Sequence, residues 1–487
     1  MSEELEEAAS AFAAALPASV TLPAGAGKTH LLVATVRHLR AEGGQVLVLT
    51  HTNAGVHAIQ KRLKTFGVTD GFRVSTLTSF AFLLARGYPQ IGELRVPAIP
   101  DWSDSGDYIA AAHRIVCSEI GQRVLAASFT HVLVDEYQDC SVEQHDLVCA
   151  IAEAVPNTGI LGDPMQAIFG FNDTSLVEWD VATGRFPDHP TPVKPWRWAG
   201  HNEKLGEWLL AIRAEMVPGQ TFSLGQLDSV GVRYRDSTGS FQTIPNVVLG
   251  TNWPAGDSVL VLASFRNDAR SVGSKLRGAY TVMEEISGDF MRDRLTDLAA
   301  SKPEEFALWL CELTKKCTCG HQKLDNPVKN NLRQGRTVGH LKGTNRPNLE
   351  EALAGFDAVI GNPCFATLAS AMDSIPKSKA INLHSHEAWY DVQSALRGAH
   401  AAGDDPSVLL EELGRARDRI RHQGRRNRNR VVSRTLLVKG LEYDHVVIAD
   451  ISRITDVNNL YVALTRARKS VTVIGDIHTV TLRVSPA

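Results

Sequence analysis

Short apolar runs bounded by turn residues alternate with longer segments of helical period through the first 170 or so residues. The runs QVLVLT at 45–50, HVLV at 131–134 and GILG at 159–162 are continuous rather than alternating, which predicts strands covered on both faces. A further strand is expected at 72–76, and helices are expected over LLVATVRHLRAEG after Lys28 and over 55–66. Strand alternating with helix predicts a parallel sheet with helices on both sides. The pattern loosens after Phe80 through GYPQIGELRVPAIPDWSDSG and returns at His131, so 81–130 reads as an insertion. A second series follows Trp198, with strands expected at 258–263, 434–438, 445–449 and 470–475. Between its halves, 288–430 is rich in helix formers and broken by LDNPVKNNLRQGRTVGHLKGTNRPN, and it reads as a second insertion. The expected fold class is α/β, with two doubly wound domains and two inserted, mainly helical subdomains.

Composition fits that organisation. A chain of 487 residues exceeds one ordinary core and suits two to four domains. Hydrophobic content of 44% and charged content of 22% are those of a globular protein, and no apolar run is long enough for a bilayer. No membrane partner is therefore expected. The acidic start MSEELEEAASAFAAALPASV lacks the basic region of a secretory leader, so a cytoplasmic address is expected. Seven cysteines spread along the chain argue for reduced thiols. With a net charge of −3, nucleic-acid binding would require a local basic surface.

The candidate chemistry begins with LPAGAGKT at 22–29, where Gly25 and Gly27 free the backbone to approach phosphate oxygens at a helix N-terminus. Ala24, Gly25, Ala26, Gly27, Lys28, Thr29 and His30 are the expected nucleotide contacts, with Lys28 on the β/γ-phosphates and the Thr29 hydroxyl on Mg²⁺. Leu22 stands where the usual pattern has its first glycine. Asp135 and Glu136 end the run HVLV in VLVDEYQDC. An acidic pair at the end of a buried strand supplies what the loop lacks, with Asp135 for the metal and Glu136 to orient the attacking water. ATP and Mg²⁺ are the expected cofactors.

Read in order, the remaining motifs complete a pattern: THTNAGVHAIQKRL from Thr50, STLTSFAFLLAR from Ser75, LGDPMQAIFGF from Leu161, KPWRW from Lys194, VLASFRNDARSV from Val261, RTLLVKGLEYDHVVI from Arg434 and NNLYVALTRAR from Asn458. In order and spacing they resemble superfamily 1 DNA helicases of the UvrD/Rep type. The resemblance implies two RecA-like P-loop NTPase domains, the first at 1–80 and 131–195 and the second at 196–287 and 431–487, with insertions at 81–130 and 288–430. It implies that Gln166 senses the γ-phosphate, that Trp196 stacks on the base, and that Gly440 and Glu442 lie near the ribose. Developing phosphoryl charge calls for cations from the opposite wall, and Arg197 and Arg466 lie in the second domain where such residues would come from. Single-stranded DNA, or a junction of single and double strands, is the implied partner. Thr50, His51, Thr52, Asn53 and Thr76 are candidates for its phosphates, and Phe169 and Phe171 for stacking on its bases. A pair of phenylalanines two apart also suits an ordinary core.

The implied activity is a DNA-dependent ATPase translocating 3′ to 5′ on single strands, with helicase output. The alternative is an ATP- or DNA-sensing regulatory subunit beside a partner nuclease, as in the compact UvrD-like subunits of Gabija-type phage-defence systems. A loading protein is another possible partner. Several residues depart from the family pattern. No Leu-Asn-x-x-Gln element precedes the phosphate loop, which leaves adenine preference open, and His51 and Leu437 replace residues usual at their positions. Cys317, Cys319 and His321 lack the spacing of a zinc site, and a loop with free thiols is the preferred reading. The segment 415–430 holds eight arginines against one acid, and suits either a solvated arm or a phosphate-binding edge.

Overall fold

The computed structural model describes residues 3–97, 100–169, 175–237, 242–284, 288–341, 347–423 and 428–484. Its first sheet is wholly parallel, in the order Ala18–Thr21, Thr158–Gly162, His131–Val134, Val46–Thr50, Phe72–Thr76. Because successive side chains in a strand point to opposite faces, Val46 and Val48 enter one core with Leu31, Leu32 and Leu133, while Leu47 and Leu49 enter another with Val132, Val134 and Ile160. Burial on both faces is why these strands read as unbroken apolar runs.

The second sheet is also parallel, in the order Val232–Asp236, Ala467–Gly475, Tyr443–Ile448, Val259–Leu262, Arg430–Ser433, Thr281–Val282. Leu260 and Leu262 face one core, and Val259 and Val261 the other. The strand expected at 434–438 lies earlier. Val431 and Val432 pair with Leu260 and Val261, and Thr435–Val438 forms a short helix. A short apolar run carries no periodicity that separates the two states. The edge strands Ala18–Thr21, Val232–Asp236 and Thr281–Val282 were not anticipated. They are short, or exposed in places, and lack the apolar run on which the other strands were recognised.

Residues 81–130 do not stand apart as the sequence pattern suggested. Helical spacing resumes after the Pro- and Trp-containing loop, and helices Ser105–Cys117 and Glu119–Ser128 bring Tyr108, Ile109, Ala112, Val116 and Leu125 into the same core as Leu47, Leu49 and Val132. This segment covers a face of the first sheet. The second insertion does have its own core, built by helices from Asp289–Ala300 to Leu409–Gln423 around Leu310, Phe356 and Trp389. Among the described residues no helix is long and apolar enough to cross a membrane.

Candidate nucleotide cleft

The phosphate loop turns from strand Ala18–Thr21 into helix Lys28–Ala41. Gly25 and Gly27 have φ of 75° and 94°, a region that costs a residue with a Cβ. Space makes the same demand. A Cβ on Gly25 would lie 2.6 Å from the Trp198 ring, and one on Gly27 would lie 3.0 Å from Trp196. Gly27 caps the helix without a side-chain bond, and its carbonyl accepts from His30 N and Leu31 N at 2.8 and 3.0 Å.

Opposite the loop, strand His131–Val134 delivers Asp135 and Glu136. Glu136 has φ of 57°, a strained conformation for a residue other than glycine, and its N–H donates to Asp135 Oδ1 at 3.0 Å. Lys28 Nζ lies 3.7 Å from Glu136 Oε2, and Gln138 Nε2 donates to the same oxygen at 2.5 Å. Burial pushes the Asp135 carboxyl up, the neighbouring Glu136 charge adds to this, and Lys28 opposes both. Burial also acts upward on Glu136, but Lys28, Lys439, the Gln138 hydrogen bond and Arg466 outweigh it and hold that carboxyl down. The pair is thereby split, one carboxylate firmly ionised and the other raised beside it, an arrangement that concentrates at sites handling protons or metal ions.

The far wall belongs to the second sheet. Arg197 N donates to Gly25 O at 3.1 Å, its Nη1 donates to Thr465 O at 2.6 Å, and its Nη2 pairs with Glu442 at 3.1 Å. Arg197 Nε is buried with no partner among the described residues, a donor left for something in the cleft. Arg466, 1% exposed, donates to Gln166 Oε1 at 3.1 Å and to Val462 O at 3.0 Å. Burial acts upward on Glu442, but Arg197 and Arg466 lower it on balance. The cleft, about 370 Å³, brings together Lys28, Thr29, Asp135, Glu136, Gln166 and Arg466, with Trp196, Arg197, Gly440 and Glu442 also on its lining. Beside it, across Gly27, His30 and Trp196, opens a larger cleft of about 1210 Å³. Ala26 lines that larger space and not the smaller one.

Residues 101–179 match the model of the UvrD/REP helicase N-terminal domain, and 437–474 that of the UvrD-like helicase C-terminal domain. Both matches make the chain similar to UvrD/REP helicases in each of its two sheet-bearing parts. No curated protein matches it. The Pif1 helicase from Candida albicans aligns in structure over 97% of this chain and 94% of its own, at 12% identity and a TM-score of 0.42. Likeness to helicase domains implies a nucleotide, usually with Mg²⁺, and a DNA substrate.

The structure also shows the surroundings of the residues proposed for DNA. Thr50, His51 and Thr52 line the same cleft as Lys28 and Glu136. The hydroxyls of Thr52 and Thr76 accept N–H groups of Gly55 and Ser79, capping helices Asn53–Thr65 and Leu77–Gly87, and Asn53 is the first residue of the former. Phe169 also faces the cleft, with Lys439 Nζ 5.2 Å from its ring centre. Phe171 lies outside the described residues. In the arginine segment, Arg417 is buried on Asp391 at 2.7 Å, Arg415 pairs with Glu411, and Arg430 begins a strand. Arg425 and Arg426 lie outside the described residues.

Sequence reasoning also missed a set of buried ties across the cleft. Asp163, fully buried, accepts from Ala24 N and Gln166 Nε2 at 3.0 Å each and from Arg213 at 2.8 and 3.0 Å. Arg213 reaches on to Tyr461 Oη at 2.7 Å. Lys439 donates to Asp139 and to Gln166 O. Asp163, Asp139 and Lys439 stood within recognised motifs, whereas nothing local marked Arg213.

Proposed function

We propose that this chain is a DNA-dependent ATPase that translocates along single-stranded DNA, 3′ to 5′, and separates duplex as it moves. The observation that carries the reading is the division of one cleft between two sheets, with the phosphate loop and acid pair on one side and Arg197 and Arg466 on the other. A site split in this way couples turnover to relative movement of its halves. Polarity rests on the UvrD/Rep likeness, as do the domain boundaries near residues 195, 287 and 431.

In this reading Lys28 and the N–H groups of the first helical turn bind the β- and γ-phosphates, drawing Lys28 from Glu136. Thr29 and Asp135 would hold Mg²⁺, which supplies charge neutralisation at the phosphates when bound. Glu136, held ionised by the cations around it, orients water and accepts its proton. Arg197 and Arg466 meet the charge that develops on the phosphoryl oxygens, and Gln166, bonded to Arg466, conveys the state of that site to the second sheet. Trp196 stacks on the base at the mouth of the larger cleft.

The test is hydrolysis with and without oligothymidylate, together with displacement of streptavidin from either end of a biotinylated strand. Strong stimulation with faster displacement from the 5′ end is expected. Equal hydrolysis with and without DNA would sink the coupled motor, and displacement from the 3′ end would reverse the polarity.

A further inference from the structure

Asp163 directly follows strand Thr158–Gly162 and is fully buried behind the cleft, off its described lining. Its two oxygens are crowded with donors. Oδ2 accepts from Ala24 N, Gln166 Nε2 and Arg213 Nη1, each at 3.0 Å, while Oδ1 accepts from Arg213 Nη2 at 2.8 Å and Met165 N at 3.2 Å. One oxygen therefore ties the phosphate loop and a guanidinium to the same point. Arg213 is also off the described lining of the cleft, so any part it has in nucleotide binding is exerted through Asp163.

Arg213 lies in the turn Ile212–Ala214 that continues helix Glu203–Ala211, whose Leu205 and Leu209 pack with Leu260 and Val446 in the core of the second sheet. Tyr461 braces its guanidinium, accepting from Nη1 at 2.7 Å with its ring centre 5.0 Å from Cζ. That tyrosine is fully buried in helix Val457–Thr465, which ends at Arg466. A planar guanidinium that meets both oxygens of a carboxylate fixes orientation as well as distance. The two groups that Asp163 holds toward the cleft are secured unequally. Gln166 is held also by Arg466 at its Oε1 and by Lys439 at its carbonyl. Ala24 N donates to Asp163, and the next residue is Gly25, the first left-handed turn of the loop. Without Arg213, Asp163 would be a buried charge lacking its cation, and the loop that hangs on it is the part least secured elsewhere.

We propose that Arg213 is a positioning residue for nucleotide binding: without touching the nucleotide, it locks Asp163 in the orientation that keeps Ala24 and the phosphate loop in their binding form. This role rests on the reading of the cleft as a nucleotide site. Titration of N-methylanthraniloyl-ADP into the full chain tests it, with a denaturation midpoint for each variant to establish that folded protein is titrated. Arg213→Met should weaken binding roughly tenfold, within the range for a residue that acts through others. In steady-state hydrolysis of ATP its loss should fall on KM more than on kcat, the reverse of the split expected for a donor aimed at transition-state charge. Arg213→Lys keeps the charge without the two-pronged bond, and should fold and bind with intermediate affinity. If Arg213→Met does not fold, Arg213→Lys decides alone. Binding of ADP by the folded variants as tight as that of the unaltered chain would make Arg213 a structural tie and overturn the proposal, and so would a loss confined to kcat. If the unaltered chain itself binds no ADP, the functional reading fails and this role with it.

Discussion

The two sides of the nucleotide cleft are chemical opposites. The first sheet presents carboxylates, Asp135, Glu136, Asp139 and Asp163, at the ends of its strands, while the second side presents Arg197, Arg213, Lys439 and Arg466. Neither set is balanced by its own side alone. Asp139 is pushed up to about 6, burial acting upward more strongly than Lys439 acts downward. The difference teaches that the cleft is electrostatically complete only when both halves are present, because a buried charge left without its partner is costly.

The largest test of this division removes the proposed proton acceptor from the acidic side. Glu136→Gln should retain nucleotide binding and lose turnover by roughly a thousandfold, within the range typical of a positioned general base. Turnover near that of the unaltered chain would remove Glu136 from the chemistry. Next comes a tie across the boundary. Lys439→Met leaves Asp139 buried and unpaired, and should cost about 3–5 kcal/mol in chemical denaturation, whereas Lys439→Met with Asp139→Leu should recover most of it. Equal stability of the single and double variants would mean that the pair is not coupled. On the cationic side, Arg466→Ala should slow hydrolysis by roughly 10²–10³ while binding changes far less, as expected of a donor aimed at transition-state charge. A matching loss of affinity would assign Arg466 to ground-state binding.

The smallest effect concerns pH. His51 in the cleft and His384 in the inserted segment are each pushed down to about 4, by burial first and then by Lys439 and Arg270 respectively. A lowered folded value means that stability is present above the ordinary value near 6.5 and is lost as pH falls toward 4. At pH 5 each should cost about 2 kcal/mol. In the cleft Asp139 works the other way, since its raised value contributes stability that disappears as pH rises through about 6. The acid limb should therefore follow His384 more than His51. The dependence of stability on pH in His384→Asn checks this, and an unchanged limb would contradict it.

What could be read from the sequence follows from where the constraints lie. Gly25 to Thr29 and Asp135–Glu136 are contiguous because phosphate and metal demand several groups from one turn, and a contiguous demand leaves a contiguous trace. The central strands were legible for a similar reason, since both faces are buried and the apolar run is unbroken. Arg213 carries no such trace, because its role depends on Asp163, fifty positions earlier, and Tyr461, far later. For the threonines of THTN the motif context spoke only of DNA, and the cap that Thr52 makes and the cleft that both line came from the fold. The arginine run stayed open between two readings because charge counted along a chain does not distinguish Arg417, paired in the interior, from Arg428 in solvent.

The tight contact of Trp198 with Gly25 bears on how this chain can be divided. Ala24 shares a hydrophobic cluster with Trp198, Leu205 and Val473, so the phosphate loop rests partly on the second sheet's core. Strand order separates two modules, but the site does not respect that line. A truncation before Trp196 would strip the loop of its roof, and one after Trp198 would expose a tryptophan that normally donates to Ala467 O. Modularity in this protein is a property of its topology, and the smallest unit that keeps the phosphate loop in its native surroundings includes both sheets.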